Sequence, residues 1–273
     1  MRQRIIQQTI LNLDLHILKA KWLLPIVGIL FFGYITLGRV WSLEATYGLK
    51  ANIWDAIFAF FGSIYFLLVV LILPFAYLVS DLTSAVPFEQ QILLKLESRR
   101  EWWIGKVLTL LTTAIIYTVL SVVAVLLISF TGFAWEQGWS QLAQTSPPEL
   151  AQIISFSLTE EMGIHHPLNY LLPTILALLL GLFLSGLLAQ VIAIIVNNTF
   201  VGFMMSATYI VGSIYAVNYG LPYPAQSFFL PVHLQPFLYD AITPPISAMY
   251  WIIGIGVLLI VGLLQSRRVD FMA

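Results

Sequence analysis

The chain has 273 residues, 60% of them hydrophobic and only 9% charged, with a mean hydropathy of +0.92 and a formal net charge of -1. That makeup lies outside the range of soluble globular domains, so a bilayer is the solvent for most of the molecule. No hydrophilic interval approaches the ~100 residues of a typical soluble domain, and the lack of cysteine excludes disulfides, thiolate metal sites and a cysteine nucleophile.

Residues 4–21 carry Ile6, Ile10, Leu13 and Ile17 on one helical face, with Arg4, Gln8, Asp14 and Lys19 interspersed. This pattern predicts an amphipathic helix lying along the membrane surface. Apolar runs follow at 22–41, 56–79, 107–130, 170–196, 199–217 and 247–264. Each comes close to the ~20 residues that carry a helix through a ~30 Å apolar core. The first is read as a retained span rather than a signal peptide, because Arg39, Val40 and Trp41 stand where a small-residue cleavage site belongs. Between Glu161 and Asp240 there is no Asp, Glu, Lys or Arg, and the pair Asn197-Asn198 is the only turn signal separating the fourth run from the fifth.

Every Lys and Arg except Arg39 and Lys50 falls before the first run, between the second and third, or after the last. Six crossings with both ends in the cytoplasm satisfy the positive-inside rule. The expected fold is therefore an all-α integral membrane protein: one transmembrane domain over 1–273, with a cytoplasmic loop at 80–106 and outer loops at 131–168 and 218–246. The first outer loop holds Glu136, Glu149, Glu160 and Glu161 and no basic residue. The second mixes Pro222, Pro224, Pro231, Pro236, Pro244 and Pro245 with Phe228, Phe229 and Phe237, which predicts short helices dipping back into the outer leaflet. Arg39 and Asp55, near span ends, are expected to snorkel or pair at the outer surface.

The cytoplasmic loop from Ser80 to Lys106 contains a second short amphipathic helix. Pro87 and Glu89 suit its start, and Phe88, Ile92 and Leu96 share a face. An ordinary charged loop that only fixes topology is the competing reading. Asp81, Leu93-Leu94, Ser98-Arg99 and Lys106 stand in the order found in the permeases of the ABC-2 type exporter family, which this chain resembles. It departs from them in having Asp81 where Glu is usual and in lacking the Gly-Thr that commonly follows. The resemblance implies a half-transporter: two permease subunits, identical or homologous, paired with two cytoplasmic ATPase subunits that hold the ATP and Mg, in a bacterial cell membrane. It also implies a coupling helix docked in a cleft of the ATPase. In that role Phe88, Ile92, Leu93 and Leu96 give apolar anchoring, while Glu89, Lys95, Glu97, Arg99 and Arg100 set orientation. No phosphate-binding Gly-x-x-x-x-Gly-Lys-Ser/Thr loop occurs in the chain, no cofactor is expected in it, and nothing in it points to nucleic acid.

The runs lack internal acids or bases suited to ion coupling. A cargo pathway would instead be lined by Tyr65, Thr112, Thr113, Tyr117, Ser121, Gln190, Asn197 and Tyr209, a set that favours amphipathic or hydrophobic cargo such as lipids, peptides or drugs. The same polar groups would serve equally well to bond neighbouring helices. Gly181 with Ser185, and Gly202 with Ser206, mark close helix approaches, either within the subunit or at a dimer seam. Glu160, Glu161, His165 and His166 cluster without a metal-ligand motif, so no metal site is expected, and His16 and His233 read as structural. Two other classes of function compete with an exporter. One is a membrane anchor or sensor that recruits an ATPase without conducting cargo; the other, an intramembrane enzyme, lacks the paired acids or Ser/His set it would need.

Overall fold

The computed structural model describes residues 2–17, 20–83, 98–145, 165–218, 233–234 and 244–266. Among these the chain is all-helical, with no strand. Helix α1 covers Arg2–Ile17, α2 Leu23–Tyr47, α3 Ile53–Phe61 and α4 Phe66–Val79. Further along the chain come α5 at Arg99–Gly132, the short α6 at Gln141–Thr145, α7 at Leu168–Val196, α8 at Thr199–Asn218 and α9 at Pro244–Ser266. Helices α2, α5, α7, α8 and α9 are each long and apolar enough to cross a membrane. The protein is thus a multi-pass membrane protein by length and composition, and its helices occupy the apolar runs of the sequence.

One run departs from expectation. The second, read as a single stretch over 56–79, is two helices, α3 and α4, bent by 75° at the break between Phe61 and Phe66. Two causes are local. Gly62 closes α3 with its N–H on the Phe58 carbonyl, and α4 opens as a π-helix over Phe66–Ile72 before becoming α-helical at Leu73. Pro74, which has no N–H to give, sits where the wider turn ends. The Tyr117 hydroxyl of α5 donates to the Leu71 carbonyl at 3.0 Å, satisfying backbone inside this irregular stretch.

The turn between α7 and α8 follows from its two asparagines. Asn197 adopts a left-handed conformation (φ 53°), its N–H closing on the Ala193 carbonyl, and Asn198 Oδ1 accepts from Val201 N at 3.1 Å as the cap of α8. The two helices then pack antiparallel. Gly202 lies against the backbone of Ala189 and Ala193, and Ser206 Oγ donates to the Ser185 carbonyl at 3.1 Å. This pair of small residues therefore seals the α7–α8 hairpin within the subunit.

The surface helix is also placed differently from a free interfacial helix. Its Ile5, Gln8 and Asn12 face is buried against the start of α5, whereas Ile6 and Ile10 of the apolar stripe point outward. The stripe is left exposed at Ile6 and Ile10, and the face carrying Gln8 and Asn12 meets protein. The centre of the bundle is built from α3, α4, α5 and α7, where Phe58, Phe60, Phe61, Phe66 and Phe75 are fully buried.

Candidate functional site

Three regions of the bundle concentrate polar or concave features. The first is the basic end, where α5 begins. Ser98 is extended (φ -151°, ψ 146°) and its Oγ accepts from Glu101 N at 3.2 Å, capping the helix; Arg99 and Arg100 beside it are exposed. One turn further in, Lys106 is buried, with its Nζ 5.8 Å from the centre of the Trp102 ring. Helix α1 grips this turn: Gln8 Nε2 donates to the Trp102 carbonyl and Asn12 Nδ2 to Thr109 Oγ1, both at 3.4 Å. The approach is close enough that any Cβ at Gly105 would collide with the Gln8 carboxamide. From the other side, Trp103 Nε1 donates to the Leu259 carbonyl of α9 at 3.3 Å and its indole lies over Gly262.

Several polar atoms here are buried without a hydrogen-bond partner: Gln8 Oε1, Glu101 Oε2 and both amide atoms of Gln190. Each such group costs about 1–3 kcal/mol relative to a paired one. Gly186 of α7 packs against Leu110 and Phe75, and the helices run antiparallel, so Gln190, one turn on, sits level with Lys106. The basic end thus holds a buried polar layer clamped between α1, α7 and α9.

The second region is the acidic end. Asn52 N donates to Asp55 Oδ2 at 2.7 Å while Trp54 N donates to Asn52 Oδ1 at 2.9 Å, a reciprocal cap on α3. Asn52 Nδ2 reaches on to Glu136 Oε2 (3.1 Å) and the Gly138 carbonyl (2.9 Å), and Trp54 Nε1 donates to the Glu136 carbonyl (2.8 Å). Of the two alternatives for Asp55, snorkelling or pairing, the structure shows it buried as a helix cap that accepts from Asn52 N; Arg39 is exposed. His166 rests edge-on against Trp54, and the Trp139 indole donates to the His165 carbonyl at 2.9 Å, so both histidines serve the packing of this loop. Among the described residues no three His, Asp or Glu side chains converge as metal ligands; Glu160 and Glu161 lie outside the described residues.

The third region is a groove of about 750 Å³ between α7 and α9. Leu176, Ala177 and Leu180 form one wall, and Trp251, Ile255 and Leu259 the other. Among the described residues its polar side chains are His233 and Ser247, both toward the start of α9. The His233 ring is stacked on Tyr250, centroids 3.9 Å apart at 12°, and the Tyr250 hydroxyl shares a 2.7 Å hydrogen bond with that of Tyr209 on α8. A three-ring assembly therefore fixes the imidazole at the polar end.

The residues expected to form a cargo pathway are dispersed, and none of them lines this groove. Tyr65 is exposed on the flank of the bundle. Thr112 and Thr113 donate to the Leu108 and Thr109 carbonyls of their own helix, and Tyr117 clamps Leu71. Ser121 and Gln190 are buried, Asn197 forms the turn, and Tyr209 alone joins the groove, through Tyr250. Of the expected coupling residues, Ser98, Arg99, Arg100 and Lys106 open α5, and Asp81 sits in a 3-10 turn over Ser80–Thr83 that ends α4. Phe88, Glu89, Ile92, Leu93, Lys95, Leu96 and Glu97 lie outside the described residues. The sequence treats His233 as isolated; its aromatic partners Tyr250 and Trp251 lie on α9, and no local spacing connects them.

Neither a protein-family model, nor a curated protein, nor a solved structure matches the chain.

Proposed function

We propose that the protein is the permease subunit of an ATP-binding-cassette exporter, crossing the membrane six times with both termini in the cytoplasm and moving an amphipathic or hydrophobic cargo. The observation that carries this reading is the length of α5. Its 34 unbroken residues extend about 51 Å, some 20 Å beyond the ~30 Å apolar core. Ser98 caps the end that adjoins the basic loop, and α1 and α9 grip its first turns. A displacement of the loop is then transmitted along a rigid rod to the acidic end, which is what coupling to a cytoplasmic ATPase requires. The ordered series Asp81, Leu93-Leu94, Ser98-Arg99 and Lys106 supports the same assignment.

The test is reconstitution of the chain with the ATPase that co-purifies with it. Phe88→Glu with Leu93→Glu should leave the subunits in the membrane but abolish ATP-driven cargo movement. Unchanged, coupled transport in that variant would exclude the coupling role, and normal complex formation with no flux in the unaltered protein would favour an anchor subunit. Because the chain has no cysteine, single-cysteine variants report sidedness without background. Ser98→Cys should be shielded from an impermeant maleimide in intact cells and Gly138→Cys labelled; the reverse pattern overturns the topology.

A further inference from the structure

The stretch of chain before α2 bonds to two different helices at the basic end. On one side, Gln8 and Asn12 of α1 donate to the Trp102 carbonyl and to Thr109 Oγ1 of α5. Both side chains are buried, and the contacts advance in the same direction along the two helices, so α1 lies parallel to the start of α5. On the other side, Lys21 Nζ donates at 2.6 Å to the carbonyl of Leu78, a buried residue in the last turn of α4. The last carbonyls of a helix have no intrahelical donor, and a cation there also complements the negative end of the helix dipole. An ammonium on such an oxygen makes a charge-assisted bond, about twice as strong as a neutral one. Lys21 belongs to the single 3-10 turn Ala20–Trp22, and its neighbour Trp22 reaches toward the same two helices. The Trp22 ring packs against Tyr117 of α5, centroids 5.9 Å apart; the Tyr117 ring meets Phe75 of α4 at 5.2 Å, and its hydroxyl holds the Leu71 carbonyl.

We propose that the segment from α1 through Trp22 is a clip that holds the end of α4 to the start of α5, with Lys21 as the residue that positions the α4 side. Helices α4 and α5 touch each other only sparsely, so their own packing does little to fix how far apart these ends stand. Seating α1 on α5 brings Lys21, which follows Asn12 closely in sequence, to α4 as an intramolecular partner, and the second contact then forms at high effective concentration. The two contacts therefore stabilise each other, and by linkage the loss of either loosens both. With the clip closed, the end of α4 and the start of α5 move as one body; they separate only when it opens. The inference rests on these contacts alone and stands whether or not the protein is an exporter.

Hydrogen exchange of the full chain in phosphatidylcholine nanodiscs, read by mass spectrometry, tests the clip. Lys21→Met removes the ammonium and should speed exchange of the amides at 79–83 roughly tenfold, the effect of losing one charged hydrogen bond. Lys21→Arg, which restores a cationic donor, should recover most of the protection. The decisive variant is Gln8→Ala with Asn12→Ala, whose lost hydrogen bonds are to α5. It should speed exchange several-fold at 79–83 as well as at 2–17, while α7 and α8 stay protected. Exchange at 79–83 that ignores Lys21→Met overturns the positioning role. Release of 2–17 with 79–83 unaffected overturns the clip and leaves two independent contacts, and unchanged protection at 2–17 excludes it equally, because α1 is then seated by something else. Should the double variant lose protection throughout the chain, Asn12→Ala alone takes its place and the same outcomes decide.

Discussion

Single small residues decide how closely these helices approach, and Gly202 shows it most plainly. A methyl group there would press on the carbonyl of Ala189 and lie 2.8 Å from Ala193 Cβ and 2.9 Å from Ala193 N. Backbone cannot rotate away as a side-chain tip does, so Gly202→Ala should force α8 off α7 and destabilise the protein by about 1–3 kcal/mol. Gly212 on the same helix has nothing within 4 Å, and Gly212→Ala is the matched control, expected to be neutral or slightly stabilising. Unfolding midpoints in detergent for the two variants check the contrast; equal midpoints would show that the hairpin is held elsewhere. Position 202 was legible as a close-approach site from its spacing to Ser206. Which helix it approached was not, because a small residue marks a gap without naming what fills it.

The helices illustrate what hydropathy can and cannot convey. Long uninterrupted runs such as Leu168–Val196 announce themselves, since twenty or more apolar residues have no other stable use in a bilayer. The break after Phe61 was hidden, because Gly62 and Ser63 are uncharged and sit between apolar stretches that read as continuous. For α1 the apolar stripe was correctly periodic, yet periodicity shows only that one face is apolar. That face is left exposed, and Gln8 and Asn12 reach α5 instead. The groove was equally invisible, being assembled from residues some seventy positions apart on α7 and α9. The contact of α1 can be tested at its tightest point: Gly105→Leu should displace the Gln8 carboxamide and release α1 from α5. Amides of residues 2–17 should then exchange hydrogen markedly faster while those of α7 and α8 stay protected. Unaltered exchange in α1 would mean that its seat does not depend on Gly105.

At the scale of the whole molecule, the two ends are built for different tasks. The acidic end is tied down, with Asn52, Trp54, Glu136 and Gly138 linking α3 to the loop after α5 through short hydrogen bonds. The basic end carries buried polar atoms that lack partners, a layer stabilised less fully by its own contacts. Between them, the elbow of α3 and α4 sets a thickness. Phe66–Val79 rises about 21 Å if upright, and α3, turned by 75°, adds only about 3–4 Å. If this bent pair is one span, it covers roughly 25 Å of a ~30 Å hydrocarbon slab, and the mismatch is met by local thinning of the lipid. Bilayers of short-chain lipid should accordingly suit the protein better than long-chain ones, with ATP-driven flux falling as acyl length increases; a flat response would indicate that the bend straightens to fit. Membrane thickness then acts on this fold as a load, and the kink beside Gly62 is where that load is felt.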